Sequence, residues 1–155
     1  GVEDVVVEMV DVTGSDGAIT IASEVATAEI RDTTVTVDAD EVCALWAKTP
    51  SEGLLSESIA PRVECEGVTV TGAADSGVAI QIDDRDRCVL ADLDVTQPAA
   101  DRDGIEFKRS RDNVLRDATI DVGGEAIVLD EATVDTQNVD SDASGRSEAS
   151  PSATK

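Results

Sequence analysis

Few residues in this chain could do chemistry, and they stand in a very acidic background. Trp46 is the one tryptophan, and Lys48 follows it two positions on. A ring platform beside an ammonium suits the stacking of a sugar or contact with a protein partner. The acid pair Asp83-Asp84 could serve acid–base or hard-cation chemistry. Asp92 and Asp117 lie 25 residues apart and are candidates for a Ca2+ site or another hydrated cation, because carboxylate oxygens are its preferred ligands. Lys108, Arg109 and Arg111 form the main basic cluster, and Asp130-Glu131 is a further acid pair. Histidine is absent, which removes imidazole from any catalytic or metal-binding scheme. Cys43, Cys65 and Cys88 are odd in number and include no C-x-x-C pair, so they suggest neither a disulfide framework nor a zinc site.

The background sets limits on partners. Acidic residues number 34 against 12 basic ones, for a net charge of −22, and arginine outnumbers lysine nine to three. Such a surface repels phosphate, so a nucleic-acid partner is not expected. It also repels itself in dilute buffer, whereas molar salt shortens the screening length to about 3 Å. The composition therefore reads as that of a halophile's protein, with molar salt supporting stability. No apolar run approaches the roughly 18 residues of a membrane span. The chain opens at Gly1-Val2-Glu3 without an initiating Met, which suggests a fragment of a longer solenoid.

The elements that must position these residues show in the spacing. With one Phe, one Trp, one Met and no Tyr, the core has to be built from Val, Ile, Leu and Ala. Short alternating segments end at Val12, Val37, Val70, Val95 and Ile120, spaced 25, 33, 25 and 25 residues. A second series runs through Ile80, Ile105 and Ile127, and a weaker third through Val5, Ile30, Val63 and Cys88. Three short strands in about 25 residues describe one coil of a β-solenoid. The expected fold is all-β, a right-handed parallel β-helix of about five coils of 22–25 residues, with one coil enlarged by eight. The enlargement falls between Asp38 and Pro61 and would carry Trp46 and Lys48. Residues 1–139 form the β-helix, and the Ser/Ala/Asp-rich segment 140–155 reads as a disordered tail.

The repeat also gives the charged pairs a structural explanation. A shift of 25 stacks Lys108 on Asp83, Arg109 on Asp84 and Arg111 on Asp86, and a shift of 22 puts Asp130 and Glu131 on the next coil. The basic cluster then lies between two acidic rows as an ion-pair ladder. Asp92 and Asp117 stack like on like, which leaves the cation reading open beside salt screening. Cys65 and Cys88 come one coil and two positions apart, beyond disulfide reach, and read as small buried hydrophobes.

From Asp103-Gly104-Ile105-Glu106-Phe107 through Asn113-Val114-Leu115 to Thr119-Ile120, the coil resembles the pectin-lyase-like superfamily of parallel β-helices. The resemblance is clearest over about 63–130 and implies fold more than function. Enzymes of that superfamily use clustered aspartates with a His and an Arg-x-Lys motif, or a calcium-binding aspartate cluster with an Arg base. Neither set carries over, and no catalytic residue is assigned. The resemblance and the composition together lead to the expectation of a structural or binding segment of an extracellular surface or virion protein, akin to a tailspike. It would present a rigid face to polysaccharide or a surface protein, with further coils or a homo-oligomer partner covering its ends. The alternative is part of a polysaccharide lyase or glycoside hydrolase whose catalytic residues lie partly outside this chain. The charge argument makes a direct prediction: the thermal midpoint should rise steeply from dilute buffer to molar salt. A midpoint indifferent to salt would remove the halophile reading.

Overall fold

A computed structural model of the chain describes residues 4–8, 11–12, 17–38, 42–52 and 61–141. In order, the strands are β1 (Asp4–Glu8), β2 (Asp11–Val12), β3 (Gly17–Ile21), β4 (Thr27–Thr36), β5 (Cys43–Ala47), β6 (Arg62–Thr71), β7 (Ser76–Asp83), β8 (Val89–Gln97), β9 (Asp101–Lys108), β10 (Asn113–Val122), β11 (Ile127–Asp130) and β12 (Val134–Ser141). The long sheet has the order β1-β4-β6-β8-β10-β12, with β2 also pairing β4, and the short sheet has the order β11-β9-β7-β5-β3. Every pairing is parallel, and the chain visits the two sheets alternately. The fold is a parallel β-solenoid. Among the described residues, no helix is long and apolar enough to cross a membrane.

Each long strand bends at one residue in the left-handed region, so each coil has three faces. Asp32, Gly67, Asp92, Asp117 and Asn138 occupy this position, with φ of 49°, 77°, 53°, 52° and 55°. The flanking registers put these five residues in one column. The bend switches which alternate positions point inward: Ala28 and Ile30 are buried before it in β4, and Thr33 and Val35 after it. Glycine meets this conformation without penalty, and Asp and Asn tolerate it best among the rest. A Cβ on Gly67 would come within 2.8 Å of the Asp32 carboxylate, so this rung is also sterically suited to glycine.

The interior is columns of aliphatic side chains, such as Leu45–Ile80–Ile105–Ile127 and Val35–Val70–Val95–Ile120. From Ile80 through Ile127, and from Val70 through Ile120, the register is the one read off the sequence, but the earlier rungs depart from it. Val70 pairs with Val35, not Val37, and Val12 also pairs with Val35. Ile30 pairs with Cys65, and Val5 with Ala28. The sequence-based alignment was two residues out because a shift of two leaves the inside–outside alternation intact. The enlarged coil is therefore ten residues longer than the 25-residue coil that follows it, since Thr27 pairs with Arg62 whereas Val70 pairs with Val95. Its extra length lies after Ala47, because Val35 to Leu45 and Val70 to Ile80 are equally long. Trp46 thus belongs to a regular strand, not to the insertion. Most of that insertion, 53–60, lies outside the described residues. At the other boundary, β12 runs through Asp140 and Ser141, two residues into the segment expected to be tail, and 142–155 lie outside the described residues.

Two fully buried arginines tie the corners together. Arg85 Nε donates to Lys48 O (3.0 Å), Nη1 to Val25 O and Ala26 O (2.9 and 3.2 Å), and Nη2 to Ala22 O (3.2 Å). Burial lowers its pKa from the usual guanidinium value, yet the carbonyls of two earlier coils replace its water. At the opposite corner, Arg102 Nε donates to Gln97 Oε1 (2.8 Å), Nη1 to Ser76 O (2.7 Å) and Nη2 to Val42 O (2.7 Å). Gln97 itself donates to Val37 O and Thr71 O. Ala22 O and Ala26 O also accept backbone N–H groups, from Val25 and Arg62 (3.0 Å each), and the guanidinium of Arg85 fills a second acceptor site on each. Arg102→Met removes three hydrogen bonds, to the Ser76 and Val42 carbonyls and the Gln97 side-chain oxygen, and should cost about 3 kcal/mol or more. Urea unfolding at constant slope measures this, and a loss under about 1 kcal/mol would show that the corner closes without the guanidinium.

Candidate ligand-binding face

The outer surface of the short sheet gathers the chemically useful side chains. Alternation along β5, β7 and β9 points Leu45, Ile80, Ile82, Ile105 and Phe107 inward. Trp46, Gln81 and Glu106 then stand outward in one column by register. Beside them, Asp83, Lys108 and Asp130 form a second column, which Lys48 extends past Ala47. Successive rungs lie about 4.8 Å apart, so Lys48 and Lys108 are about 10 Å apart along the solenoid axis.

Trp46 is half-buried and held from below. Its Nε1 donates to Asp83 Oδ2 at 3.2 Å, and Gln81 Nε2 donates to Asp83 Oδ1 at 3.1 Å. Asp83 is only 8% exposed, so these neutral donors replace the water it has lost. The Lys48 ammonium lies 5.0 Å from the Trp46 ring centroid, in cation–π range. Among the described residues, neither Lys48 nor Lys108 closes an ion pair. Glu106 is half-buried, and burial pushes its carboxyl above the usual range. Lys108 opposes that shift, while Asp83, Asp130 and Asp103 add to it.

At the edge of this face, the chain turns left-handed at Asp84, Arg109 and Glu131, with φ of 57°, 51° and 55°. Arg109 grips Asp84 through two bonds, Nε to Oδ1 at 2.6 Å and Nη2 to Oδ2 at 2.8 Å. Thr49 Oγ1 adds a third at 2.7 Å. The hydrogen bonds from Arg109 hold the Asp84 carboxyl below its ordinary range. The other rows of the charge ladder have different geometry. Arg111 meets Asp86 through its backbone N–H (3.0 Å), and Lys108 lies between Asp83 and Asp130 by register alone.

Asp92 and Asp117 are elsewhere, exposed on the bend column of the long sheet. Asn138 Nδ2 donates to Asp117 Oδ1 at 2.9 Å. Their stacking follows from the left-handed bend, for which aspartate is suited. Among the described residues, no group of three or more His, Cys, Asp or Glu is placed to hold a metal. The three cysteines are free and buried, and burial raises the thiols of Cys65 and Cys88 to about 12. A shallow depression of about 100 Å³ on the long sheet opens where short Ala91 stands between Glu66 and Arg116 in one column.

The chain matches no family model, no curated protein and no solved structure. Its chemistry therefore has to be argued from this face. Sequence spacing singled out Trp46 and Lys48 but assigned Lys108 to the ladder, and it passed over Gln81 and Glu106. The signal was available: Trp46, Gln81 and Glu106 are each the outward residue between two inward aliphatics or small residues of their strands.

The Arg109–Asp84 grip gives a test of register. Arg109→Glu should lower the thermal midpoint more than Arg62→Glu, which breaks the exposed Arg62–Glu64 pair (3.0 Å) at equal cost in net charge. Asp84→Arg should rescue the first variant and not the second, as a double-mutant cycle would show. The sign with pH is fixed by the depressed Asp84 carboxyl. Its contribution is complete above the unfolded carboxylate range and is lost as pH falls through the lower folded value. Arg109→Met should bring that acid transition back up toward the ordinary carboxylate range.

Proposed function

We propose that the chain is a binding module: a rigid β-solenoid whose short-sheet outer face receives an extended anionic ligand, with polysaccharide the chemistry it fits best. The supporting observation is convergence. The chain has a single tryptophan and three lysines, and Trp46, Lys48 and Lys108 share one face although the net charge is −22. Scattered placement would serve solubility equally well. A stacking platform with two ammoniums about 10 Å apart, about the length of a disaccharide, suits a linear polymer carrying repeated anionic groups. Strands fix the positions of these side chains more firmly than a loop would.

The setting we propose is an extracellular surface or virion of a halophile. There, a solenoid with screened acidic flanks remains soluble while the two lysines of one face stay available to a ligand. A protein partner would have to supply the same acidic, extended surface. The resemblance of the coils to the pectin-lyase-like superfamily supports the architecture, and the absence of histidine weighs against importing that superfamily's catalytic sets.

Trp46 fluorescence reports on the face directly. Dextran sulfate should quench or shift it with saturation at moderate salt, whereas neutral dextran should bind far more weakly. Lys48→Ala and Lys108→Ala should each weaken dextran sulfate by roughly tenfold, about 1.4 kcal/mol. No saturable response to either polymer would sink the binding reading.

A further inference from the structure

Glu106 is the one carboxylate that stands outward in the middle of this face with no hydrogen-bonding partner, which gives it a role the binding reading does not yet use. It follows Gln81 in the Trp46 column and sits two residues before Lys108 on β9. Asp83 on β7 faces it from one side, Asp130 on β11 from the other, and Asp103 and Lys108 from its own strand. Asp83 has its own donors, Trp46 and Gln81, and Asp84 has Arg109 and Thr49. Glu106 has neither, and it is half-buried.

We propose that Glu106 is the charge-selectivity residue of the face and makes its affinity for an anionic ligand depend on pH. Ionised, its carboxylate sits two residues from Lys108 on the same strand, competes for that ammonium and repels an incoming anion. Protonated, it leaves Lys108 free and presents an O–H donor to the same ligand oxygen. One proton is taken up on binding whenever the carboxyl starts out ionised, and it is released again with the ligand. Binding of an anion therefore favours the protonated form, and affinity should rise as pH falls through the carboxyl's range. Burial places that range above ordinary glutamates, so the gain appears before the bulk of the acidic surface titrates.

This inference rests on the binding reading, and the test separates the two. Dextran sulfate is the probe, because its sulfate esters stay ionised from about pH 4 to about pH 8, the window in which carboxylates titrate. Trp46 fluorescence gives the affinity across that window in molar salt-equilibrated protein. Wild type should bind roughly five- to tenfold more tightly at the acid end, and Glu106→Gln should bind tightly throughout with a flat profile. A Glu106→Gln variant that keeps the wild-type slope overturns the selectivity role while leaving the binding face standing. No binding by either protein at any pH overturns the binding reading and this proposal with it. Carboxyl-carbon NMR of the free protein is independent of any ligand: a Glu106 midpoint in the ordinary glutamate range overturns the pH dependence in its own right.

Discussion

A solenoid coil closes only if the chain can leave one face and enter the next at the same place on every rung. In this protein, a single left-handed residue within each long strand makes that turn, and every other feature follows its placement. The bend flips the inward parity, so that Ala28 and Ile30 before it and Thr33 and Val35 after it all face the core. It also locks the register, since Asp32 must stack on Gly67 and Gly67 on Asp92. Once the register is locked, the short sheet has no freedom either: Trp46 falls beside Gln81, and Gln81 beside Glu106. The grouping of Trp46, Gln81 and Glu106 on one face is thus a consequence of the turn geometry in the long sheet.

The architecture was legible in the sequence because aliphatic alternation repeats wherever a strand faces the core. What alternation cannot detect is a slip of two residues, and the aligned Val37 was off by that amount. The left-handed column would have fixed it, since Gly67, Asp92 and Asp117 follow one another at 25 residues and Asp32 precedes Gly67 by 35, but an aspartate at a bend looks like any acidic surface residue. The corner arginines escaped notice for a related reason. Arg85 stands in Asp84-Arg85-Asp86 and Arg102 in Asp101-Arg102-Asp103, patterns that read as exposed local charge pairing. In the fold, each flanking pair stays near the surface while the central side chain turns inward to backbone carbonyls. Lys108 was correctly placed between Asp83 and Asp130, but its alignment with Lys48 was hidden because Lys48 fell in the segment read as irregular.

The acidity of the chain also has more than one cause. Five of the nine non-glycine residues with positive φ are aspartates, and a sixth is asparagine. At Asp32, Asp84, Asp92, Asp112 and Asp117, the side chain is suited to the local backbone whatever the ionic strength. The need for a left-handed residue on each coil is a pressure toward aspartate in its own right, beside the salt adaptation expected from composition. The two pressures coincide, and composition alone weighs only their sum.

Arg85 and Arg102 change how such a stack should come apart. A simple solenoid behaves as a one-dimensional chain in which each repeat feels its nearest neighbours alone. Arg85 instead reaches the carbonyls of the two preceding coils, at Lys48 and at Ala22 to Ala26, and Arg102 does the same at Ser76 and Val42. Coupling therefore extends to second neighbours, and a coil in the middle of the stack cannot melt without releasing a buried cation into its neighbours' interior. Pulled from its ends, such a rod would yield in blocks of several coils, and a surface or particle carrying it would have a stiff strut with few intermediate lengths.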